Sequence, residues 1–111
     1  MERFVKGDVV VLNFPFSDLS SYKKRPALVV SKLKGDDLIL CQITTKQSRN
    51  DEYAIDLINN DFEEGRLPLE SIIRSNVIFT GDKELILKKS GRVSDKKLEE
   101  VRQKIKEIIS N

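Results

Sequence analysis

The chain has 111 residues, of which 39% are hydrophobic, so it holds enough apolar material for one core and little for a second. Lys and Arg number 20 and Asp and Glu 18, and this net charge of +2 does not by itself indicate a nucleic-acid-binding protein. Histidine is absent and cysteine occurs once, which excludes a zinc site made of thiols and imidazoles. We expect a single domain, residues 1–111, that uses no metal and no cofactor.

The N-terminal segment "MERFVKGDVVVLNF" carries charge at positions 2, 6 and 8 and lacks the uninterrupted apolar stretch of a signal peptide. No apolar run approaches the roughly 20 residues of a membrane-spanning helix. Cys41 lies inside the apolar run "LILCQI", which indicates a buried thiol rather than a disulfide partner. These features predict a cytoplasmic protein that does not insert into a membrane.

Short apolar runs separated by Gly, Asp, Asn, Ser and Pro fill the first eighty residues, a pattern typical of β-strands. The predicted strands are residues 8–14, 27–33, 38–44, 53–57 and 71–80. The four residues "KGDD", 34–37, separate the second strand from the third and suit an antiparallel hairpin. Since spacings this short leave no room for crossover helices, we expect a mostly antiparallel sheet.

The apolar period changes near the C-terminus, where one face of a helix is marked by Leu98, Val101, Ile105, Ile108 and Ile109. Ser94 is the expected N-cap of this helix, and Gly91 is expected to interrupt the segment before it. Residues 83–89 fit either a strand or a helical turn. The sequence therefore predicts a mainly β fold, a strongly bent antiparallel sheet closing toward a barrel, with a C-terminal α-helix against it.

Few residue types remain that could carry chemistry. Without histidine, the usual acid and base at neutral pH is missing. The carboxylate pairs Asp36–Asp37 and Glu63–Glu64 lie in polar sequence and are interpreted as solvated turns, and the five glycines form no phosphate-binding loop. Arginine, lysine and hydroxyl groups are therefore the candidates.

Arg25 and Thr44 are brought together by the predicted hairpin. Arg25 precedes Pro26, and proline favours an extended conformation in the residue before it, which presents the guanidinium where the strand begins. Thr44 ends the third strand, so the two residues should be neighbours at one end of the sheet. With Lys23, Lys24, Lys46 and Arg49 around them, they suit a phosphodiester in a charged transition state. The other interpretation is that the basic loops serve solubility and Thr44 bonds to the backbone.

Five segments resemble, in this order, the PemK/MazF family of toxin endoribonucleases: "GDVVVLNFPFSD" (7–18), "RPALVVS" (25–31), "CQITT" (41–45), "LPLESII" (67–73) and "KKSGRVSDKKLEEVRQKIKEII" (88–109). The resemblance covers nearly the whole chain. It implies a small SH3-like antiparallel β-barrel of the PemK type with a C-terminal helix, assembled as a homodimer.

The same resemblance implies metal-independent cleavage of single-stranded RNA, typically mRNA at short motifs, by attack of a ribose 2′-hydroxyl on the adjacent phosphate. The catalytic arginine of the family stands in the "RP" motif and matches Arg25, and its catalytic threonine matches Thr44. Arg25 would stabilise charge on the phosphorane, and Thr44 would orient the phosphate or the 2′-hydroxyl. A cognate antitoxin with an acidic, flexible tail would cover the basic groove.

The residues expected to bind RNA lie in and beside two loops: Ser20, Ser21, Tyr22, Lys23, Lys24, Thr45, Lys46, Gln47 and Arg49. Tyr22 could stack on a base, or its ring could cover the end of the barrel. The loop after Thr45 could hold the RNA backbone or be a solvated strand connection. Arg74 could face solvent or a dimer interface.

Two segments depart from the family pattern. "SDLSSYKKRP" is shorter and more basic than the corresponding loop of most members, and "SNVIFTG" is apolar where many members are polar. These departures leave two alternatives: a non-catalytic toxin, of which the CcdB-type gyrase inhibitor is one kind, or a module that binds RNA or an antitoxin without cleavage. The gyrase inhibitor acts through a C-terminal tail that contains tryptophan, and this chain has no tryptophan.

Overall fold

The structure is a computed structural model that describes residues 3–15, 22–46 and 51–111, with the backbone alone for residues 14, 15, 22 and 23. Within these residues, the strands are β1 (Asp8–Pro15), β2 (Tyr22–Lys32), β3 (Asp37–Thr45), β4 (Ala54–Leu57), β5 (Phe62–Gly65), β6 (Ser71–Asp82) and β7 (Ile86–Val93). They form one sheet of order β4-β6-β3-β2-β1-β7-β5 in which every neighbouring pair is antiparallel. The helix α1 (Asp95–Ile109) follows. The sheet curls into a half-barrel, which confirms the predicted mainly β class.

The central strands bury both of their faces, because alternate side chains of a strand point to opposite sides of the sheet. On one side, Val9 of β1, Leu28 of β2 and Ile43 of β3 pack with Leu98 and Val101 of the helix. The other side carries a second apolar cluster: Phe4, Val10, Leu12, Ala27, Val29, Leu38 and Leu40. Burial on two faces explains why β1, β2 and β3 contain near-continuous apolar runs in the sequence.

The predicted hairpin between β2 and β3 is confirmed. Its turn contains Gly35 at φ +76°, and the backbone N–H of Leu33 donates to the carbonyl oxygen of Asp37 at 3.0 Å. Glycine suits this position because a side chain disfavours positive φ. The pairing places Ala27 opposite Gln42, which fixes how the ends of the two strands meet.

The C-terminal helix begins as the sequence predicts. The Ser94 hydroxyl accepts a hydrogen bond from the backbone N–H of Lys97 at 3.1 Å, which caps the first turn. Lys97 also donates to the backbone carbonyl of Asp56 at 2.9 Å and so ties the helix to β4. Ile109, expected on the buried face, is 72% exposed, whereas its neighbour Ile108 is half-buried. Successive residues of a helix point about 100° apart, so both cannot face the sheet equally. In the described part of the chain, no helix is long and apolar enough to cross a membrane.

The region around β5 corrects two predictions. Glu63 and Glu64 lie in this strand rather than in a solvated turn, and Gly91 lies inside β7 instead of ending a segment. Gly65, at φ +70°, packs backbone to backbone against Ser90 and Gly91, and a Cβ at either glycine would collide with the opposite strand. The glycines therefore permit the pairing of β5 with β7.

The structure also corrects one strand boundary and assigns the segment that the sequence left ambiguous. Asp37, interpreted as part of a solvated turn, is the first residue of β3. The ambiguous residues 83–89 divide into a 3₁₀ turn, Lys83–Leu85, and the start of β7 at Ile86. The turn is capped by the Asp82 carboxylate, which accepts from the backbone N–H of Glu84 at 2.8 Å.

A chain of ion pairs joins β1, β7 and β5, and we call these residues, Asp8, Glu64, Lys89 and Arg92, the charged seam. The Lys89 ammonium lies 3.3 Å from the fully buried Asp8 carboxylate and 2.9 Å from that of Glu64. Asp8 also accepts a hydrogen bond from the backbone N–H of Val5 at 2.9 Å. The hydrogen bond from Lys89, together with the charges of Lys89 and Arg92, lowers the pKa of Glu64, and the same bond raises the pKa of Lys89.

Candidate active site

A cleft of about 580 Å³ opens where β2 begins and β3 ends, and Arg25 and Thr44 both line it. Its first wall comes from the two strands: Lys24, Arg25, Pro26, Ile43, Thr44 and Thr45. Its second wall comes from the segment between β5 and β6, the start of β6 and β7, and includes Leu67, Pro68, Leu69, Ser71, Leu87 and Lys88. The first wall is thus mainly cationic and polar, and the second wall is mainly apolar.

Arg25 and Thr44 stand two residues beyond the last ladder pair of β2 and β3, which is Ala27 opposite Gln42. If the same antiparallel register continued to these positions, Arg25 would lie opposite Thr44. Side chains in such directly opposed positions have Cβ atoms about 4.5–5.5 Å apart and lie on one face of the sheet. Both residues are half-buried, which restricts their side chains and leaves part of each accessible to a ligand.

Arg74 belongs to the same face, a position that its sequence context does not predict. Its Nη1 donates to Oε1 of Gln42 at 3.2 Å, and its Nε lies 3.6 Å from a carboxylate oxygen of Asp51. Asp51 is held in turn by the backbone N–H of Tyr53, which donates to it at 2.9 Å. The Arg74 guanidinium is therefore fixed from two sides, one position along the sheet from the Arg25–Thr44 pair.

An irregularity in β6 explains why Arg74 reaches this place. Ile43 of β3 pairs with Ile73, but two residues earlier on β3, Cys41 pairs with Ile78, so β6 contains extra residues at this point. The Cys41 thiol donates to the carbonyl oxygen of Arg74 at 2.9 Å and satisfies an acceptor that the bulge removes from the ladder. Burial raises the pKa of Cys41 to about 12, so this thiol is a structural group and not a nucleophile, as its apolar surroundings predicted.

The residues predicted to bind RNA fall into three groups. Lys24 and Thr45 are exposed and line the cleft. Lys46 is exposed beside it and pairs with Asp56 at 3.5 Å. For Tyr22 and Lys23 the structure gives a backbone position on β2 and no side chain, and Ser20, Ser21, Gln47 and Arg49 lie outside the described residues.

Two lysines of the cleft have no carboxylate partner among the described residues. In residues 3–15, 22–46 and 51–111, neither Lys24 nor Lys88 forms an ion pair, whereas other lysines of the chain, such as Lys89 and Lys97, do. With the Arg25 guanidinium, they give the cleft a positive charge that suits an anionic ligand, and the Thr44 hydroxyl adds a group that both donates and accepts.

A curled antiparallel sheet that ends in one helix and carries this cleft defines a class of small half-barrel proteins. A family model described as PemK-like, MazF-like toxin of type II toxin-antitoxin system matches residues 5–109. The chain belongs to this toxin family, as the five sequence motifs indicated. A search of curated protein sequences gave no match.

Solved structures share the fold at low sequence identity. MazF from Deinococcus radiodurans (Form-I) has a TM-score of 0.77 and 19% identity, with 100% of both chains covered. The MazE–MazF structure (Form-III) from the same organism has a TM-score of 0.75 and 20% identity, covering 96% of this chain and 95% of that one. An endoribonuclease solved with its cognate antitoxin from a Mycobacterial species has a TM-score of 0.75 and 17% identity, covering 97% and 96%.

Proposed function

We propose that this chain is an endoribonuclease toxin that cleaves single-stranded RNA, in particular mRNA, at a short sequence motif and without a metal ion. The observation that carries the proposal is that Arg25 and Thr44 line one cleft with Lys24 and Lys88, which form no ion pair within the described part of the chain. Membership of the toxin family supports it, and so do the fold relatives described as endoribonucleases.

The reaction we infer uses the substrate's own nucleophile. The ribose 2′-oxygen forms a bond to the adjacent phosphorus, the bond from phosphorus to the 5′-oxygen breaks, and the proton lost by the 2′-hydroxyl is balanced by one gained by the leaving oxygen. The products are a cyclic phosphate and a 5′-hydroxyl. The need for a 2′-hydroxyl restricts this reaction to RNA.

Arg25 stabilises the extra negative charge of the phosphorane, because a guanidinium presents several N–H donors to phosphate oxygens. Thr44, opposite it, orients the phosphate or the 2′-hydroxyl. Arg74 contributes a second guanidinium to the same face, and its bonds to Gln42 and Asp51 hold it in place before RNA arrives. Lys24 and Thr45 contact the RNA backbone at the rim.

The proposed partners follow from this activity. The toxin acts as a homodimer in the cytoplasm, where mRNA is found, and a cognate antitoxin neutralises it. Two of the fold relatives were solved as complexes, one described as MazE–MazF and the other as an endoribonuclease with its cognate antitoxin. An acidic antitoxin segment would compete with RNA for the cations of the cleft.

The test is incubation of single-stranded RNA with the wild type, Arg25→Ala and Thr44→Ala in EDTA, with fragment ends assigned by mass spectrometry. We expect the wild type to produce cyclic-phosphate and 5′-hydroxyl ends and both variants to produce neither. Total cellular RNA is used beside a defined RNA, because a defined sequence can lack the motif. Intact RNA in both samples, or cleavage that persists in Arg25→Ala, would contradict the proposal.

A further inference from the structure

A cationic cavity lies at the opposite end of β2 and β3 from the cleft. Its volume is about 220 Å³, and we call it the distal pocket, lined by Arg3, Phe4, Lys32, Asp36, Leu38 and Lys83. Arg25 and Lys32 are seven residues apart on β2, which separates the two cavities by roughly 20 Å at the rise of a β-strand. We propose that the distal pocket binds the phosphate group of a small phosphate monoester, at a site that does not depend on the proposed RNA cleavage.

A β-bulge in β2 turns Lys32 toward the distal pocket. The pairing of β2 with β3 shifts by one position between Val29 and Ser31, so β2 has one extra residue there. Beyond the shift, Lys32 lies opposite Leu38, whose side chain belongs to the same apolar cluster as Phe4. Without the extra residue, the alternation of the strand would place Lys32 on the helix side of the sheet. Bulges re-aim side chains in this way and are frequent beside functional sites.

The N-terminal segment fixes the position of Arg3 beside Lys32. The backbone N–H of Gly7 donates to the carbonyl oxygen of Val29 at 2.7 Å, which holds this segment against β2. Phe4, the residue after Arg3, is 7% exposed and packs into the apolar cluster. The exposed side chain of Arg3 therefore extends from an anchored backbone at the rim of the distal pocket.

The 3₁₀ turn between β6 and β7 brings a third cation, Lys83, to the distal pocket. Its backbone N–H donates to the carbonyl oxygen of Asp36 at 2.9 Å, and its ammonium lies 3.2 Å from the Asp36 carboxylate. These contacts join the 3₁₀ turn to the β2–β3 turn, where a Cβ at Gly35 would meet open space. The pocket is therefore held in shape before a ligand binds, and it stays accessible beside Gly35.

The charge of the distal pocket favours an anion. Among the described residues, Arg3 and Lys32 form no ion pair, and Asp36, which pairs with Lys83, is the only acidic side chain in the lining. Three cations and one anion leave an excess of two positive charges, which matches a phosphate monoester near neutral pH. A guanidinium binds two phosphate oxygens at once, and lysine ammonium groups add point charges.

The size of the distal pocket favours a small ligand over an RNA chain. Pockets that enclose drug-sized ligands have about 300–1,000 Å³, and the distal pocket is smaller, at about 220 Å³. Single-stranded RNA is held in grooves that follow its backbone, with aromatic side chains on which the bases stack. Phe4 is the aromatic residue of the lining, and its burial leaves little ring surface for stacking. A phosphate group that carries a few carbon atoms suits this cavity.

The experiment titrates ribose 5-phosphate into the protein by isothermal titration calorimetry, with ribose as the uncharged control. The variants Arg3→Ala and Lys32→Ala each remove one of the two cations that form no ion pair in the described chain. Lys34→Ala is the matched control, because Lys34 is an exposed lysine two residues from Lys32 that does not line the distal pocket. RNA binding, RNA cleavage and thermal unfolding are measured on every variant.

We expect the wild type to bind ribose 5-phosphate and not ribose. Arg3→Ala and Lys32→Ala should each weaken binding about tenfold, as the loss of a hydrogen bond to a charged group predicts, and Lys34→Ala should leave it unchanged. Equal binding of the two probes, binding of neither, or equal effects of Lys32→Ala and Lys34→Ala would overturn the inference.

Arg25→Ala and the RNA measurements separate the distal pocket from the cleft. Arg25→Ala should bind ribose 5-phosphate as the wild type does, and loss of binding in this variant would place the phosphate in the cleft and overturn the inference. Arg3→Ala and Lys32→Ala should bind and cleave RNA as the wild type does. Weaker RNA binding with unchanged ribose 5-phosphate binding would assign the distal pocket to RNA and equally overturn the inference. Because calorimetry does not require catalysis, a wild type that binds ribose 5-phosphate but cleaves no RNA would contradict only the proposed function.

Discussion

The charged seam and the cleft use the same kinds of residue in opposite ways. In the seam, Lys89 lies between the carboxylates of Asp8 and Glu64, at 3.3 Å and 2.9 Å, and each cation meets an anion. In the cleft, Lys24 and Lys88 meet no carboxylate among the described residues. Lys88 and Lys89 are adjacent in the sequence but point to opposite sides of β7, so Lys89 joins strands together and Lys88 faces the cleft.

This contrast separates stability from activity. Removing a buried partner of an ion pair leaves the other charge uncompensated and destabilises the fold. An exposed cation without a partner in the protein contributes little to stability, so its removal should change ligand binding rather than folding. Substitutions in the two regions should therefore give different results in unfolding and cleavage assays.

The largest effect is expected at Arg25. Arg25→Ala should reduce RNA cleavage by about 10²–10³-fold, the range observed when one transition-state donor is removed, with little change in unfolding temperature. Arg25→Lys should restore only part of the rate, since an ammonium cannot make two parallel hydrogen bonds to phosphate. Single-turnover cleavage rates and thermal unfolding test this prediction. A loss of activity that tracks a loss of stability would contradict it.

The second-largest effect is a loss of stability when the charged seam is broken. Asp8→Ala should lower the free energy of unfolding by about 3 kcal/mol, because the buried carboxylate bonds to the backbone of Val5 and pairs with Lys89. Urea unfolding gives the value. Asp36→Ala is the control, since Asp36 pairs with Lys83 but its side chain is 58% exposed. Equal losses in the two variants would show that burial of Asp8 does not matter.

Removing the Gln42 side chain that holds Arg74 is expected to have an intermediate effect on activity. Gln42→Leu removes the hydrogen bond to Nη1 and should lower kcat/KM about tenfold without much loss of stability. If Gln42 acts through Arg74, the double variant Gln42→Leu, Arg74→Ala should be no slower than Arg74→Ala alone. Additive losses of activity would show that Gln42 contacts RNA independently of Arg74.

Lys88 provides a test with a smaller expected effect. Lys88→Ala should weaken RNA binding at all sequences and reduce the dependence of log affinity on log salt by about one unit, as expected for one lost phosphate contact. Lys34→Ala, which removes an exposed lysine in the β2–β3 turn, is the control. The measurement is RNA affinity over a range of salt concentrations. An equal decrease in the slope of log affinity against log salt in both variants would contradict the prediction.

The smallest effect is the pH dependence of the Lys89–Glu64 pair. The folded state lowers the pKa of Glu64 from its ordinary value of 4.5, so the stabilisation is present above that pH and is lost as the pH falls through the lowered pKa. It is lost again in strong base, because the pKa of Lys89 is raised from 10.5. Unfolding temperatures of the wild type and Glu64→Gln should differ at neutral pH and converge at low pH. A constant difference would contradict this assignment.

Short-range patterns were enough to predict the half-barrel, the β2–β3 hairpin and the helix cap at Ser94. They also predicted that Arg25 and Thr44 stand at one end of the sheet, since a hairpin register follows from the turn between its strands, and both residues line the cleft. The strand β5 was not predictable, because "FEEG" has no apolar alternation and its pairing depends on Gly91 and Lys89, far along the chain. Arg74 was missed for a similar reason, as the β6 bulge that directs it depends on tertiary contacts with Cys41 and Asp51.

The backbone contact between Gly65 and Gly91 has a consequence for the order in which the protein matures. The segment that carries Leu67 and Leu69 leaves β5 directly after Gly65, and β5 is anchored on β7, which also supplies Leu87 to the cleft. A ribosome therefore synthesises Arg25 and Thr44 well before the strand that completes the cleft. The two proposed catalytic residues therefore leave the ribosome before the strand that supplies the other wall of the cleft.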